Sequence, residues 1–576
     1  MELSDNSQVI LALGSGVTLH QLFYRLGEWD TRSLSLFASY ILVLSAGSVL
    51  SWISNRQTTV AISWTSNEFG KLWLCHAIGV FSSMLVYRGF FHRLGTFPGP
   101  FFARFSNFYL TMMSSKLHLY KEVDQLHNAY GDYVRTGNVT YLLWQSNHLM
   151  CSSISGPTEL SIADPEAIQL IYGAQSKATK GPWYTLLDPR VCLSFTRDKQ
   201  EHARRRRVWD HGFSTRAIRA YEPIVAKYAK QLVEVVERDL GSPIDMTRWF
   251  SYYAFDVMGN LAFGKSFNMI AEGKEAYFLK TIRTDMTNIG YLKHMPWIFP
   301  IVMNIPILNA NNLKFWKWIE IQFLERSAAE PEQRDIFSWI LDAYKKGPQS
   351  TQDMLNLHGD GYLIVVAGSD TTSTTLSHLW FQLAGDKALV QKLQNEIDGL
   401  DELSDESISK IGLLDAAIYE TLRLHPVIPS GLQRLTPPEG MTIGQTYIPG
   451  NIIVQVPFYR MFRDPRAFEF PADFIPERWT TKPELVKNKS VFIPFNTGQF
   501  KRGVASCKHA DHNIGPWACV GRQLALMELR RVTAELLLRY DISLAPGKGN
   551  ETFLEDGRDM FTLAAAPLFL NFTKRH

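Results

Sequence analysis

The chain has 576 residues, of which 46% are hydrophobic and 12% aromatic, and its formal net charge is +3. It is long and apolar enough to bury a large core, and a charge this close to neutral excludes a strongly basic nucleic-acid-binding protein. Five cysteines in such a length argue against a disulfide framework, and we find no zinc-spaced Cys/His cluster and no glycine-rich phosphate loop.

Residues 1–95 contain three apolar stretches, from Val9 to Tyr24, from Leu34 to Ile53 and from Leu72 to Tyr87. We interpret them as a membrane-anchoring region with one to three transmembrane helices, in which the middle stretch is long enough to span a bilayer and the other two are near the lower limit. Three spans would place the acidic amino terminus in the lumen, as the positive-inside rule prefers. A single anchor through the third stretch is the alternative.

Residues 96–576 are predicted to form one catalytic domain, entered through the proline-containing hinge Phe97–Pro100. Its periodicity is mostly helical, with strand-like pieces at Glu159–Ile162 and Ile452–Val456. An apolar, proline-rich region runs from Met295 to Pro306.

A basic run from Glu201 to Trp209 contains His202 and Arg206, whose i,i+4 spacing places them on one face of a helix. Arg204, Arg205 and Arg207 would then point elsewhere. A basic surface of this kind suits docking of an acidic protein; a merely solvated basic face is the alternative.

The stretch from Gly361 to Leu383 is apolar and rich in small residues, which predicts a buried helix. Within it lies Ala-Gly-Ser-Asp-Thr-Thr, residues 367–372. Small residues here open a groove, and Asp370 and Thr371 could relay protons to a ligand. Alternatively, the hydroxyl groups bond only to carbonyls of their own helix.

Two charged motifs follow. Glu420 and Arg423 lie three residues apart, on one helical face, and Phe474–Trp479 supplies Glu477 and Arg478, which could pair with them. An ordinary surface salt bridge is the alternative for Glu420 and Arg423.

Cys519 has glycines nearby on both sides and precedes Gln523–Leu529, a sequence typical of a helix start. The helix dipole and free amide groups there stabilise a thiolate, and a thiolate can hold haem iron. A structural cysteine before a helix is the alternative for this motif taken alone.

In this order and spacing the motifs resemble the cytochrome P-450 monooxygenases, from about Phe97 to the carboxyl terminus. The resemblance implies a mainly α fold with a small β region, behind amino-terminal transmembrane helices. It also implies heme b with Cys519 as the axial thiolate, proton delivery by Asp370 and Thr371, and room for oxygen at Ala367 and Gly368.

Further roles follow from the same resemblance. His202 and Arg206 would bind the haem propionates, with Arg434 as a weaker candidate. Glu420, Arg423 and Arg478 would form a buried charge network that serves folding and haem retention, because buried charges are tolerated only when all are paired. The region from Met295 to Pro306 would lie by the membrane-facing entrance to the substrate cavity, or form an ordinary hydrophobic loop.

The resemblance implies a monooxygenase that inserts one atom of O2 into a small apolar substrate, with fungal secondary metabolism as its closest setting. Since the printed chain carries no flavin domain, electrons would come from NADPH through NADPH-cytochrome P-450 reductase, with cytochrome b5 as a further donor. The enzyme would sit in the endoplasmic reticulum membrane with a cytosolic catalytic domain. A haem-thiolate isomerase or dehydratase, or a non-catalytic haem-binding protein, is the alternative.

The haem loop departs from the family pattern. The family runs Phe-x-x-Gly-x-Arg-x-Cys-x-Gly without interruption, whereas here Gln499–Gly515 separates Phe495 from Cys519. Trp517 then occupies the position usually held by Arg or His, so that one propionate contact would be missing or replaced by an indole N–H. Cys507 in the insert mimics the ligand, but no helix follows it, and Cys519 is the expected ligand.

A second interruption, Asn138–Gly156, separates Thr136-Gly137 from a strand-like stretch beginning at Pro157. Both segments begin after Thr-Gly and end in Gly followed by Pro, and glycine, isoleucine and serine codons at these borders can supply splice-site dinucleotides. We therefore interpret both segments as retained introns in a gene model. Real surface loops are the alternative, because long insertions cost little closure entropy.

Overall fold

The computed structural model describes residues 5–24, 33–54, 66–138, 158–329, 331, 333–496 and 517–575. Its amino-terminal part is helical: α1 is Asp5–Leu19, α2 is Ser33–Ser54 and α3 is Ser66–Val86. A π-helical turn, His20–Tyr24, extends α1, and a second, Tyr87–Phe91, extends α3.

Helices α1 and α3 pack closely along two glycines. A Cβ atom at Gly16 would lie 2.1 Å from the carbonyl oxygen of His76, and one at Gly79 would lie 2.2 Å from that of Leu13. Small residues allow this approach of two backbones, as in membrane helix pairs. Polar side chains join the two helices as well, since Ser15 Oγ lies 2.8 Å from His76 Nδ1.

Among the described residues, one helix is long and apolar enough to cross a membrane, and it comprises Glu68–Phe91. The middle stretch forms the 22-residue helix α2, as expected of a stretch long enough to span a bilayer. The third stretch is longer than the sequence suggested, because its helix begins before Leu72 and continues past Tyr87 through the π turn.

The catalytic domain is mainly helical. Its remaining α-helices are α4 (Phe108–Met113), α5 (Leu119–Tyr130), α6 (Ala167–Tyr172), α7 (Lys199–Gly212), α8 (Thr215–Arg238), α9 (Met246–Phe263), α10 (Met269–Glu272), α11 (Tyr277–Leu292), α12 (Ile298–Met303), α13 (Pro306–Ala328), α14 (Ile336–Lys346), α15 (Thr351–Gly385), α16 (Lys387–Asp398), α17 (Asp405–Ile408), α18 (Gly412–Leu424), α19 (Phe458–Met461) and α20 (Arg522–Leu537).

Four small sheets complete the domain. The strands are β1 (Tyr133–Asn138), β2 (Thr158–Ile162), β3 (Thr179–Lys180), β4 (Ile244–Asp245), β5 (Arg434–Leu435), β6 (Met441–Ile443), β7 (Thr446–Ile448), β8 (Ile453–Gln455), β9 (Tyr540–Leu544), β10 (Arg558–Met560), β11 (Thr562–Ala564) and β12 (Phe569–Lys574). The largest sheet has the order β1-β2-β8-β5-β3, in which β2 and β8 are parallel. Both strand-like pieces identified in the sequence are confirmed as β2 and β8.

Helix α15 runs through the centre of the domain and confirms the helix predicted from Gly361 to Leu383. A capping box begins it, because the Ser350 side chain accepts a hydrogen bond from the Asp353 amide and the Asp353 carboxylate accepts one from the Ser350 amide. It packs along α9 and also contacts α14, α18 and α20. Its Trp380 side chain is fully buried, so α15 is the core helix of the domain.

The predicted hinge is held against the sheet. The Arg135 amide of β1 donates a 2.8 Å hydrogen bond to the carbonyl of Pro98, and a Cβ atom at Gly99 would lie 2.4 Å from the Arg135 carbonyl oxygen. The segment that enters the catalytic domain is thus fixed in place by backbone contact.

The proline-rich region forms α12 and the start of α13 instead of a loop. Helix α2 packs against α12, and Ser33 Oγ donates a 2.6 Å hydrogen bond to the Trp297 carbonyl. Exposed apolar side chains follow on α13, among them Ile307 and Leu308. The amino-terminal helices and this apolar surface therefore adjoin each other.

A fully buried charge network joins α18 to the loop that follows α19. Glu420 accepts hydrogen bonds from Arg423 at 2.8 Å, Arg478 at 2.9 Å and the Trp479 indole at 2.9 Å. The two guanidinium groups also donate to backbone carbonyls of the loop, including those of Phe462, Glu469, Phe470 and Pro471. Glu477 lies apart from the network, with Lys392 Nζ at 3.8 Å.

We expect Glu420→Ala to destabilise the protein by about 3–5 kcal/mol, because two buried guanidinium groups would lose the carboxylate with which, among the described residues, they form ion pairs. The measurement is the free energy of unfolding in denaturant. Glu439→Ala is the control, since Glu439 pairs with Lys177 on the exposed surface and its loss should change nothing measurable. Equal stability of the two variants would contradict the role of the network.

Candidate active site

The Cys519 loop is tied to the chain before the second insert. The Cys519 amide donates a 3.0 Å hydrogen bond to the Phe495 carbonyl, and Asn496 Nδ2 donates to the Trp517 carbonyl at 3.1 Å. Helix α20 begins directly after the loop, with Gly521 at its N-cap position. The expected helix start after the cysteine is thus confirmed.

The Cys519 side chain keeps accessible surface although the fold encloses it. Burial raises the pKa of the thiol, and the backbone amide of Gly521, followed by the charges of Arg206 and Arg522, acts in the opposite direction. The amide at the start of α20 thus favours the thiolate, as expected, but burial has the larger effect on the pKa of the thiol. A coordinating metal ion itself deprotonates a thiol.

Helix α7 brings its basic face to this loop. Asp198 caps the helix by accepting a hydrogen bond from the Glu201 amide. The His202 ring meets the Trp517 ring edge-on, with centroids 4.3 Å apart. Arg206 donates to the Ala518 carbonyl and pairs with Asp210 at 2.7 Å. The two residues expected on one face thus both contact the cysteine loop.

A cluster of cationic groups surrounds Trp517. Lys180 Nζ lies 4.0 Å from the centre of the Trp517 ring, and it donates to the carbonyls of Ser194 and Thr196. Burial, followed by the charge of Lys180, lowers the pKa of His202 to about 3. Burial, followed by the charge of Arg434, lowers the pKa of Lys180. The local field thus favours an anionic ligand.

Arg434 is fully buried on β5 and completes the cluster. Its Nη1 donates to the Tyr184 hydroxyl at 3.1 Å, and its guanidinium lies 5.1 Å from the Tyr172 ring centre. Its Nε atom is buried without a hydrogen-bond partner among the described residues. An orphaned donor among unneutralised cations fits a group that carries carboxylates, such as haem with its two propionates.

The sequence did not indicate Lys180 and Tyr184. They lie in the short β3 strand and the 3₁₀ turn Pro182–Thr185, where neither periodicity nor motif distinguishes them. The one available signal was a lysine followed by Gly181 and the apolar or aromatic run Pro182, Trp183 and Tyr184, since lysine is rarely buried without a partner.

The basic surface expected on α7 is smaller than the sequence suggested. Arg205 is buried and pairs with Asp360 of α15 at 2.6 Å, because its face of α7 packs inward. Arg204 and Arg207 remain exposed, and Arg204 pairs with Glu201 at 2.7 Å.

The middle of α15 is open on one side. Ala367 is exposed, and Asp370 and Thr371 are half-buried, although Ile364, Val365 and Ser369 beside them are buried. Thr371 Oγ1 donates to the Ala367 carbonyl at 2.7 Å, which is the self-bonding pattern considered for this helix. An accessible stretch therefore interrupts the buried surface of the core helix.

Gly368 faces a different neighbour. A Cβ atom there would lie 2.6 Å from the Met258 side chain of α9, so helix packing explains the glycine at this position. The space at the open side of α15 lies instead at Ala367.

Burial raises the pKa of Asp370 to about 7, opposed in part by the charge of Arg283. No side chain of the described residues hydrogen-bonds to its carboxylate. A carboxyl group that is half-protonated near neutral pH can both donate and accept a proton.

Most of the two inserts, together with Cys151 and Cys507, lies outside the described residues, while their flanks are described. Asn138 and Thr158 are register partners in the antiparallel pair of β1 and β2. Phe495 and Cys519 are joined by the backbone hydrogen bond given above. The two chain ends around each segment therefore lie side by side.

Comparison with known proteins agrees with this geometry. The family model "Cytochrome P450" matches residues 98–501 and ends inside the second insert, before Cys519. The chain is 54% identical to cytochrome P450 monooxygenase orf5 of Eupenicillium brefeldianum, over 88% of this chain and 97% of the relative.

Two further relatives match almost the whole chain. Cytochrome P450 monooxygenase FCK2 of Fusarium pseudograminearum is 42% identical over 97% of this chain and 96% of its own length. Tryprostatin B 6-hydroxylase of Aspergillus fumigatus is 32% identical over 97% of this chain and 95% of its own length. The chain therefore belongs to the cytochrome P450 family, whose members bind haem iron through a cysteine thiolate, and it is a monooxygenase of that family.

Proposed function

We propose that Cys519 is the axial thiolate of heme b and that the enzyme hydroxylates a small apolar compound of fungal secondary metabolism. The observation that carries the proposal is the placement of an accessible thiol, at the start of α20, beside buried cations that no carboxylate neutralises. Lys180, His202, Arg206 and Arg434 would hold the propionates.

Haem held at this site would supply the oxygen-activating chemistry, in which O2 and two electrons give one oxygen atom to the substrate and one to water. This balance consumes two protons. Asp370, whose pKa lies near neutrality, would pass them inward from solvent, and the Thr371 hydroxyl would hand them on. Ala367 leaves the space beside this hydroxyl open.

The electrons would come from NADPH through NADPH-cytochrome P-450 reductase, with cytochrome b5 as a second donor. Arg204 and Arg207, exposed on the outer side of α7, suit an acidic partner surface. The helix Glu68–Phe91 would anchor the enzyme in the endoplasmic reticulum membrane, with the catalytic domain in the cytosol.

We propose in addition that residues 138–156 and 499–515 are dispensable for the fold and for haem binding. The support is the contact between their flanks, which a shortened chain could join with little movement. A 17-residue segment beside an iron ligand would also increase the conformational freedom of the loop, whereas the geometry of the ligand must be fixed.

A haem-thiolate isomerase is not favoured. Such an enzyme needs no external electrons and has no use for the accessible Asp370 and Thr371 on α15.

Replacing the proposed ligand gives the first test. Cys519→Ala should abolish the red-shifted Soret band of the reduced, carbon-monoxide-bound protein, because no thiolate would remain on the iron. Cys507→Ala is the matched control and should keep the band. The opposite pattern would move the ligand to Cys507.

Thr371→Ala should uncouple oxygen consumption from hydroxylation, because the last hydroxyl of the proton path is lost. Product formed per NADPH should fall by roughly tenfold or more, with hydrogen peroxide making up the difference. The control is Thr374→Ser, since Thr374 donates to the Leu563 carbonyl and serine keeps a hydroxyl group for that bond. Unchanged coupling in Thr371→Ala would contradict the proposed path.

The pH dependence of turnover tests Asp370. Its pKa of about 7 means that the carboxyl group is mostly protonated below neutrality and mostly ionised above it. If Asp370 donates protons, the turnover rate should therefore fall as the pH rises from about 6 to about 8. The Asp370→Asn variant should turn over slowly, and its rate should not change with pH over this range. An identical pH profile in the two proteins would exclude Asp370 from the path.

A further inference from the structure

A carboxylate on α11 lies among apolar residues. Phe278, Ile282, Asp285 and Ile289 follow one another at spacings of three and four, which places them along one stripe of the helix. Phe278 and Ile282 belong to the main core, and Ile289 packs against an aromatic cluster. Asp285 therefore interrupts an inward-facing apolar stripe.

Asp285 has no partner among the described residues: no ion pair or hydrogen bond involves its side chain. Burial alone raises its pKa to about 6, and no cation opposes that shift. Arg283, two positions earlier, is engaged elsewhere, because it pairs with Glu275 and donates to Ser251 Oγ. A half-buried carboxylate of this kind is costly unless something neutralises it.

The hydroxyl of Tyr362 on α15 interacts electrostatically with Asp285 and with Asp370 of its own helix. The Tyr362 side chain is 7% exposed, and no described residue hydrogen-bonds to its hydroxyl. The pKa of this phenol is raised first by burial and then by the charges of Asp285 and Asp370. Among the described residues the Tyr362 hydroxyl and the carboxyl groups of Asp285 and Asp370 thus all lack a hydrogen-bond partner, and both carboxyl groups act electrostatically on the hydroxyl. Asp370 belongs to the open side of α15.

Aromatic side chains border the carboxyl-terminal end of the stripe. Ile289 packs on a cluster in which the Trp183 and Phe561 rings stack with centroids 4.4 Å apart. Phe195 lies 5.1 Å from the Trp183 ring. The region therefore offers apolar and aromatic surface on one side of Asp285 and an unneutralised negative charge in its middle.

We propose that Asp285 selects substrates with a basic, protonated nitrogen, binding that cation with help from the Tyr362 hydroxyl while aromatic residues hold the apolar body. This deepens the proposed monooxygenase function and rests on it. The substrate class is then a small, mostly apolar amine, which an alkaloid satisfies and a neutral terpenoid or polyketide does not.

The test compares two probes of the same shape. Trimethyl(2-phenylethyl)ammonium carries a permanent charge and no lone pair, so it cannot ligate iron, and (3,3-dimethylbutyl)benzene is its neutral carbon isostere. Equilibrium dialysis against the haem-loaded chain and its variants gives the affinity of each variant relative to the parent for each probe. This ratio cancels differences in partitioning between the probes.

Asp285→Asn should weaken binding of the ammonium probe by about tenfold or more and change binding of the neutral probe by less than about twofold. Glu272→Gln, which removes an exposed acid on neighbouring α10, should leave both affinities unchanged. Equal losses for the two probes, or none for the ammonium probe, would overturn the proposal.

Two controls separate the possible failures. Because the pKa of Asp285 is raised, its ionisation reduces stability progressively as the pH rises from about 4 to about 6, and the full cost remains at neutral pH. Asp285→Asn should therefore be at least as stable as the parent at neutral pH. A normal thiolate band without charge preference would refute only the substrate class. Absence of the band from the parent protein would refute the proposed haem ligation itself.

Discussion

The backbone hydrogen bond between Cys519 and Phe495 is the constraint on which the candidate site depends. This bond holds the cysteine loop against the segment around Phe495. Arg206 of α7 holds the same loop by donating a hydrogen bond to the Ala518 carbonyl. A metal ligand needs such support from its surroundings, because a loop that moves by an ångström no longer offers fixed geometry. The buried charge network around Glu420 likewise fixes the loop that follows α19 against α18.

Electrostatics divides the interior into two regions with opposite preferences. Around Trp517 the basic side chains of Lys180 and Arg434 form no ion pair with a carboxylate among the described residues, and the neutral His202 ring lies beside them, so that region favours an anion. Along α15 and α11 the carboxyl groups of Asp370 and Asp285 form no ion pair within the described part of the chain, although the charge of Arg283 acts on Asp370. A haem with its propionates in the first region and a basic substrate in the second would neutralise both.

The sequence predicted the helix around Asp370, the two sheet strands and the residues around Cys519, since these depend on periodicity or on a fixed motif. It did not predict the burial of Arg205, which is decided by the packing of α7 against α14 and by the ion pair with Asp360 of α15. Lys180 and Asp285 were missed for a related reason. Their importance comes from neighbours that are distant in sequence, and no local pattern records the absence of a partner.

The most direct measurement is the reduced, carbon-monoxide-bound absorption spectrum of the printed chain beside a version that lacks residues 138–156 and 499–515. Because the flanks of each segment already meet, the shortened chain is expected to show the red-shifted band of thiolate-ligated haem at least as fully as the printed one. A band in the printed chain and none in the shortened chain would contradict the placement of Cys519 and the closure of its loop on Phe495.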